Sequence, residues 1–170
     1  MKTFRDKLAV ITGGGTGMGR ALAEQLTAAG CHVAICDVSA EYMAETKRLC
    51  EARAPYPLRI STHVCDVSDE QQVMAFSGAV AADHETTSIN LLFNNAGIAG
   101  GGSFVKDDRS EWDRTFAVCW FGVYYCTRAF LPLLVASNEA CIVNTSSVNG
   151  FWASLGPGVA HTAYSSAKFA

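Results

Sequence analysis

Short apolar runs alternate along the chain with amphipathic stretches of helical period. Leu8-Ala9-Val10-Ile11 is the first run, too short for a helix and read as a buried strand. It feeds directly into Thr12-Gly13-Gly14-Gly15-Thr16-Gly17-Met18-Gly19, after which Met18, Leu22, Leu26 and Ala29 recur at helical spacing up to Gly30, a C-terminal stop. The run at 31–36 predicts a second strand closing on Asp37. A solvated helix at 41–53 follows, ended by Pro55 and Pro57, and then a short strand at 58–64. Ser68-Asp69-Glu70-Gln71 has the form of a capping box, which makes Ser68 the cap of a helix running to Asp83 and leaves Asp66 free for another task.

Residues 89–93 read as a fourth strand that runs into Asn94-Asn95-Ala96-Gly97, followed by a flexible Gly100-Gly101-Gly102 connection. Residues 110–134 read as one long helix. Trp112, Phe116, Trp120 and Tyr124 form one stripe on it, Phe121, Tyr125 and Phe130 another, and Pro132 marks its end. Such a helix is apolar around most of its circumference. One face covers a sheet, and the remainder calls for a second partner, such as another subunit in a homo-oligomer. A fifth strand at 140–145 stops at Ser146-Ser147. The loop beyond carries Phe151-Trp152 and Gly156-Pro157-Gly158, suited to an apolar pocket wall, before Tyr164-Ser165-Ser166-Ala167-Lys168 sets a phenol and an ammonium one helical turn apart. The alternation predicts an α/β fold: a doubly wound, Rossmann-type parallel sheet with helices on both faces, of strand order 3-2-1-4-5.

Composition narrows the partners. With 170 residues, 49% hydrophobic and 17% charged, the chain supports one core and one domain over residues 1–170. A net charge of -3 with scattered Lys and Arg argues against nucleic acid or an anionic membrane surface as the main partner. Residues 2–7 are followed by too short an apolar run for a signal sequence or a membrane span, so a cytoplasmic protein is expected. The seven cysteines are odd in number and form no C-x-x-C pair, which reads as buried free thiols. The four histidines are scattered, and no metal site is assigned.

The strand, glycine turn and helix at the N-terminus together point to a diphosphate. A helix start presents unpaired N–H groups and partial positive charge. Gly13 allows the sharp exit from the strand, Gly17 removes a Cβ that would block the pyrophosphate, and Gly19 lets the helix lie close to the sheet. Arg20 and Ala21 stand where a phosphate-cleaving P-loop wants Lys and then Ser or Thr, so a dinucleotide fits better. Asp37 suits the adenosine ribose hydroxyls and repels a 2′-phosphate. No Arg or Lys stands at Gly14, Gly15, Thr16, Val38 or Ser39, so NAD is favoured over NADP.

Thr12-Gly13-x-x-x-Gly17-x-Gly19, Asp37, Asn94-Asn95-Ala96-Gly97, Ser147 and Tyr164-x-x-x-Lys168 occur in an order that resembles the short-chain dehydrogenase/reductase family, over essentially the whole chain. The resemblance implies hydride transfer between NAD(H) and a small-molecule alcohol or ketone. It implies Tyr164 as general acid/base with the Lys168 ammonium beside it, and Ser147 as donor to the reacting oxygen, with Ser146 the alternative one residue away. For the cofactor it implies Gly13, Thr16, Gly17, Met18 and Gly19 at the diphosphate, Asp37 at the ribose, and Asp66 and Val67 near the adenine. Asn95, Ala96 and Gly97 lie along the strand-end loop, and Tyr164 and Lys168 meet the nicotinamide ribose.

Three features depart from the family pattern. Cys119 stands where the long helix usually carries a catalytic Asn, and a thiol is a weak donor and acceptor. The loop from Ser147 to Tyr164 is longer than is common. The sequence stops at Ala170, so the family's C-terminal strands are missing and a fragment of a longer enzyme is expected. Cys119 and the early stop also leave open a non-catalytic dinucleotide-binding protein without turnover.

Overall fold

The computed structural model describes residues 2–100, 108–152 and 161–170. Five parallel strands, β1 (Leu8–Thr12), β2 (His32–Asp37), β3 (Ile60–Val64), β4 (Leu91–Asn94) and β5 (Cys141–Asn144), form one sheet of order β3-β2-β1-β4-β5, as the alternation predicts. Helices α1 (Gly17–Ala28) and α2 (Ala40–Arg53) follow β1 and β2, and α3 (Glu70–Asp83) follows β3. After β3 the next strand is added on the other side of β1, which places a crevice at the strand ends between β1 and β4.

β1 is buried along its whole length, and its side chains divide between two cores. Ala9 and Ile11 pack with Val33, Ile35, Leu26 and Met43 under α1 and α2. Leu8 and Val10 pack with Cys36, Phe76, Val80, Phe130 and Leu134 on the opposite face. This is why β1 reads as an uninterrupted apolar run: a central parallel strand has no solvent face. The outer strand β5 is exposed at all four residues, with Val143 40% accessible.

Several sequence expectations are corrected. The inner stripe of α1 is Gly19, Ala23, Leu26 and Thr27, with Met18 63% accessible and Ala29 exposed, because the helix begins at Gly17 and its phase follows Gly19 onto the sheet. Ser68 does not cap α3. Asp69 does, accepting the Gln71 and Gln72 amides through Oδ1 at 2.9 and 3.2 Å, the stronger acceptor being a carboxylate at a helix start. Nor is Asp66 free, since its Oδ1 accepts from the Ser68 amide at 2.9 Å and from the Ser68 hydroxyl at 2.7 Å. Cys141 is an exposed thiol, whereas the six other cysteines are buried and free.

The helix expected at 110–134 is continuous over Arg109–Val135 but not uniform. α4 (Arg109–Phe116) passes through a π-helical turn, Ala117–Phe121, into α5 (Gly122–Val135). Pro132 lies inside α5 and does not end it. Pro132 has no N–H for the Arg128 carbonyl one turn back, and Arg128 is an exposed residue on the solvent side of the helix. Both aromatic stripes are present, with Trp112 stacked on Phe116 and Trp120 on Tyr124. The helix is long and apolar enough to cross a membrane; Cys126, Phe130 and Leu134 are instead buried in the core between sheet and α3, the common use of such a helix in an α/β fold. A short 3₁₀ turn, Val148–Gly150, and α6 (Thr162–Phe169) complete the described chain. Gly101 and Gly102 and the turn Gly156-Pro157-Gly158 lie outside the described residues.

Candidate active site

The glycine turn is shaped by two opposite demands. Gly17 has φ +53°, and a Cβ there would meet open space, so the first turn of α1 faces an unobstructed gap. At Gly19 the reverse holds: a Cβ would collide with the Gly13 carbonyl and lie 2.8 Å from Asn95 Nδ2. The N-cap Thr16 makes no side-chain cap, and no acidic residue stands in the first turn. The leading amides of α1 are thus left to an outside acceptor, the donor set an anionic diphosphate requires.

The turn is held from behind. Arg20 donates through Nε to the Gly15 carbonyl at 3.0 Å and to Thr46 Oγ1 at 3.0 Å, while Thr46 Oγ1 donates to the same carbonyl at 3.1 Å. Asp37 accepts the Gly15 amide through Oδ2 and the Ser39 amide through Oδ1. Motif reading gave Arg20 only a negative role, as the wrong residue for a P-loop; its placement one turn into α1, with α2 beside it, was the available signal.

Thr12 and the two asparagines join the strand ends. Buried Thr12 Oγ1 accepts the amides of Asn95 and Ala96, each at 3.0 Å. Asn95 Nδ2 donates to the Thr12 carbonyl at 3.0 Å and the Gly13 carbonyl at 3.3 Å, so this side chain fastens β4 to the glycine turn. Asn94 fastens β4 the other way, donating to Asn144 Oδ1 at 2.8 Å and Thr127 Oγ1 at 3.0 Å. Nothing in the local sequence pattern distinguishes these clasps from ligand contacts.

A cavity of about 200 Å³ opens beside this junction. Gly13, Asp37, Asp66, Val67, Ala96 and Gly97 all line it, so residues from four separate motifs converge on one space. Thr16 and Met18 are exposed at the start of α1, outside that lining. Arg114 and Val118, from the long helix, close the far side and were not foreseen.

Tyr164 and Lys168 share a face of α6, with Lys168 Nζ 5.9 Å from the centroid of the Tyr164 ring. Lys168 Nζ donates to the Thr145 carbonyl at 2.7 Å, just past the end of β5. A Cβ on Gly97 would lie 3.6 Å from Lys168 Nζ and 3.8 Å from Cys119 Sγ, so these two groups come near a residue of the cavity lining, while they themselves line a second cavity of about 410 Å³ with Thr145 and Ser146. Ser147 Oγ accepts the Asn149 amide at 3.2 Å, which leaves its own proton to give. Ser146 instead donates to the Lys168 carbonyl at 3.3 Å. Ser147 and Tyr164 share no hydrogen bond among those described. Cys119, 3% accessible in the π turn, directs Sγ to the Ile98 carbonyl at 3.5 Å. Among the described residues no three His, Cys, Asp or Glu side chains converge as a metal site.

Known proteins share this fold. The chain is 38% identical over all of its 170 residues to SadH of Mycobacterium tuberculosis, of which it spans 58%. The crystal structure of levodione reductase superposes with a TM-score of 0.88 at 34% identity, covering 98% of this chain and 62% of that one. A short-chain dehydrogenase/reductase from Burkholderia phymatum, solved in complex with NAD, gives 0.87 at 34% identity, covering 99% and 57%. The chain thus spans little more than half the length of these relatives. The sequence profile described as short chain dehydrogenase matches residues 7–170, which contain every strand and every clasp above. A five-stranded parallel sheet, a glycine turn over an open helix start and a Tyr-Lys pair at its strand ends make this chain a member of the short-chain dehydrogenase family.

Proposed function

We propose that the protein is the dinucleotide-binding and catalytic part of an NAD-dependent dehydrogenase or reductase acting on a small alcohol or ketone. One observation carries this reading: the Lys168 ammonium lies near Gly97 of the cavity lining and shares a helix face with Tyr164, which sets the Tyr-Lys pair close to the cleft lined by the glycine turn and Asp37. The cleft suits the cofactor on its own chemistry, since the first amides of α1 lack a cap and the space at Gly17 is clear. Gly13, Thr16, Gly17, Met18 and Gly19 hold the diphosphate, Asp37 the adenosine ribose, Asp66 and Val67 the adenine, and Asn95, Ala96 and Gly97 the backbone path toward the nicotinamide.

A bound nicotinamide dinucleotide would supply the hydride chemistry. The chain's own groups manage the proton. Tyr164 takes the hydroxyl proton of an alcohol during oxidation and returns it to the carbonyl oxygen during reduction. Lys168, fixed by Thr145, stabilises the phenolate electrostatically and holds the nicotinamide ribose. Ser147, whose proton is uncommitted, donates to the reacting oxygen and offsets the charge that develops there. Likeness to an NAD complex does not itself separate NAD from NADP; the Asp37 carboxylate and the absence of a cation at Gly14, Gly15, Thr16, Val38 and Ser39 favour NAD.

Cys119 favours a second reading, a dinucleotide binder without turnover, because a thiol held on the Ile98 carbonyl is a poor proton relay. NADH titration followed by turnover assays on a panel of secondary alcohols and ketones separates the two. Binding with oxidation or reduction supports the enzyme, binding alone supports the second reading, and no binding of NADH overturns both.

A further inference from the structure

Arg114 differs from the other arginines. Arg5, Arg48, Arg53, Arg59, Arg109 and Arg128 are paired with carboxylates, and Arg20 is tied to the Gly15 carbonyl. The Arg114 side chain has no ion pair or hydrogen bond among the described residues, although Asp37 and Asp66 line the same cavity. Those carboxylates are engaged by their own loops: Asp37 takes the Gly15 and Ser39 amides, and Asp66 Oδ1 takes the Ser68 amide and hydroxyl. Arg114 and the two acidic residues thus line one cavity without pairing.

The cavity is small and partly apolar. Its volume of about 200 Å³ is below that of a pocket for a whole drug-sized ligand, on the order of 300 Å³ and above. Val38, Val67, Ile98 and Val118 give it apolar sides, which suits a base and would leave a phosphate poorly solvated. The diphosphate has its own donors at the start of α1. Resting on the dinucleotide reading above, we infer that the Arg114 guanidinium lies flat on the adenine face and fixes the adenosine end of the cofactor. A planar, weakly hydrated cation stacks on an aromatic ring in a way that a lysine ammonium does not reproduce.

Calorimetric titration of the purified protein with NADH, AMP and reduced nicotinamide mononucleotide tests this. R114A raises the Kd of NADH and of AMP by the same factor, roughly fivefold to tenfold, and leaves the mononucleotide unchanged. R114K stays weak toward AMP, and the loss persists at about 0.5 M salt, where an exposed charge pair is screened. Because Arg114 is exposed and unpaired among the described residues, the melting temperature of the variants matches that of the unaltered protein. Unchanged AMP affinity in R114A overturns the inference. So does recovery in R114K with a loss that vanishes in salt, which marks a phosphate contact. If the unaltered protein binds neither NADH nor AMP, the dinucleotide reading itself fails, an outcome distinct from either of these.

Discussion

The Asp37 carboxylate accepts the Gly15 amide at 3.0 Å, tying the end of β2 to the glycine turn. The approach is so close that a Cβ on Gly15 would lie 2.8 Å from Asp37 Oδ2, so the pair fixes the turn and sets a negative charge at the cavity that Asp37 lines. Asp37→Ala removes both effects. NADH affinity is expected to fall about tenfold, ~1.4 kcal/mol, while discrimination against NADPH narrows. Fluorescence titration with both nucleotides measures it, and tighter binding of NADPH than NADH by the unaltered protein would remove Asp37 from its role.

Gly17 and Gly19 should respond differently to alanine. Gly19→Ala drives a methyl group into the Gly13 carbonyl and is expected to cost about 3 kcal/mol or more of stability, as overpacking against backbone does. Gly17→Ala meets nothing in the protein and costs only the strain of a positive φ, about 1 kcal/mol, but its methyl enters the gap before α1. Urea unfolding together with NADH titration separates the two: Gly17→Ala loses binding out of proportion to stability.

Tyr164→Phe removes the phenol proposed to carry the proton while leaving the ring beside Lys168. Turnover should drop by roughly a hundredfold or more, with NADH affinity retained within about threefold. Steady-state rates alongside NADH titration read both, and an unchanged rate would end the acid/base assignment.

Cys119→Ala tests whether the thiol packs or relays. Sγ meets the Ile98 carbonyl at 3.5 Å, a weak contact, so the expected loss is about 1 kcal/mol of stability with turnover changed less than threefold. A tenfold or greater fall in turnover at equal stability would give the thiol a chemical role.

His84 makes stability depend on pH. Ser61 Oγ bridges His84 Nε2 at 2.9 Å and His63 Nε2 at 2.8 Å under the end of α3. Burial, reinforced by neighbouring His32, His63 and Arg59, lowers the His84 pKa to about 4, and burial lowers that of His63 against the pull of Asp83. A folded-state pKa below the unfolded one means that the unfolded chain binds more protons. The associated stability is therefore complete above about pH 6.5 and is lost as pH falls from there toward 4, by about 2 to 3 kcal/mol at most from His84. Unfolding midpoints measured across that range should show the slope, and His84→Gln should flatten it.

The sequence by itself determined the order of elements, the parallel sheet and the positions of the glycine turn, Asp37, Asn95 and the Tyr164-Lys168 pair. Those features follow from local rules: apolar runs without a solvent face, glycine where backbone must pass close, and one helical turn between two side chains. Which residue caps α3 was not legible, because Ser68 and Asp69 both fit a cap pattern and only the path of the chain after β3 chose Asp69. Only the packed fold decided that Thr12 and Asn95 bind each other's strands, that Arg20 clamps the Gly15 carbonyl, and that Arg114 lines the same cavity as Asp37 despite their distance in the sequence. A hydrogen bond or a cavity wall joins residues through space, and no period or propensity along the chain encodes which distant partner will arrive.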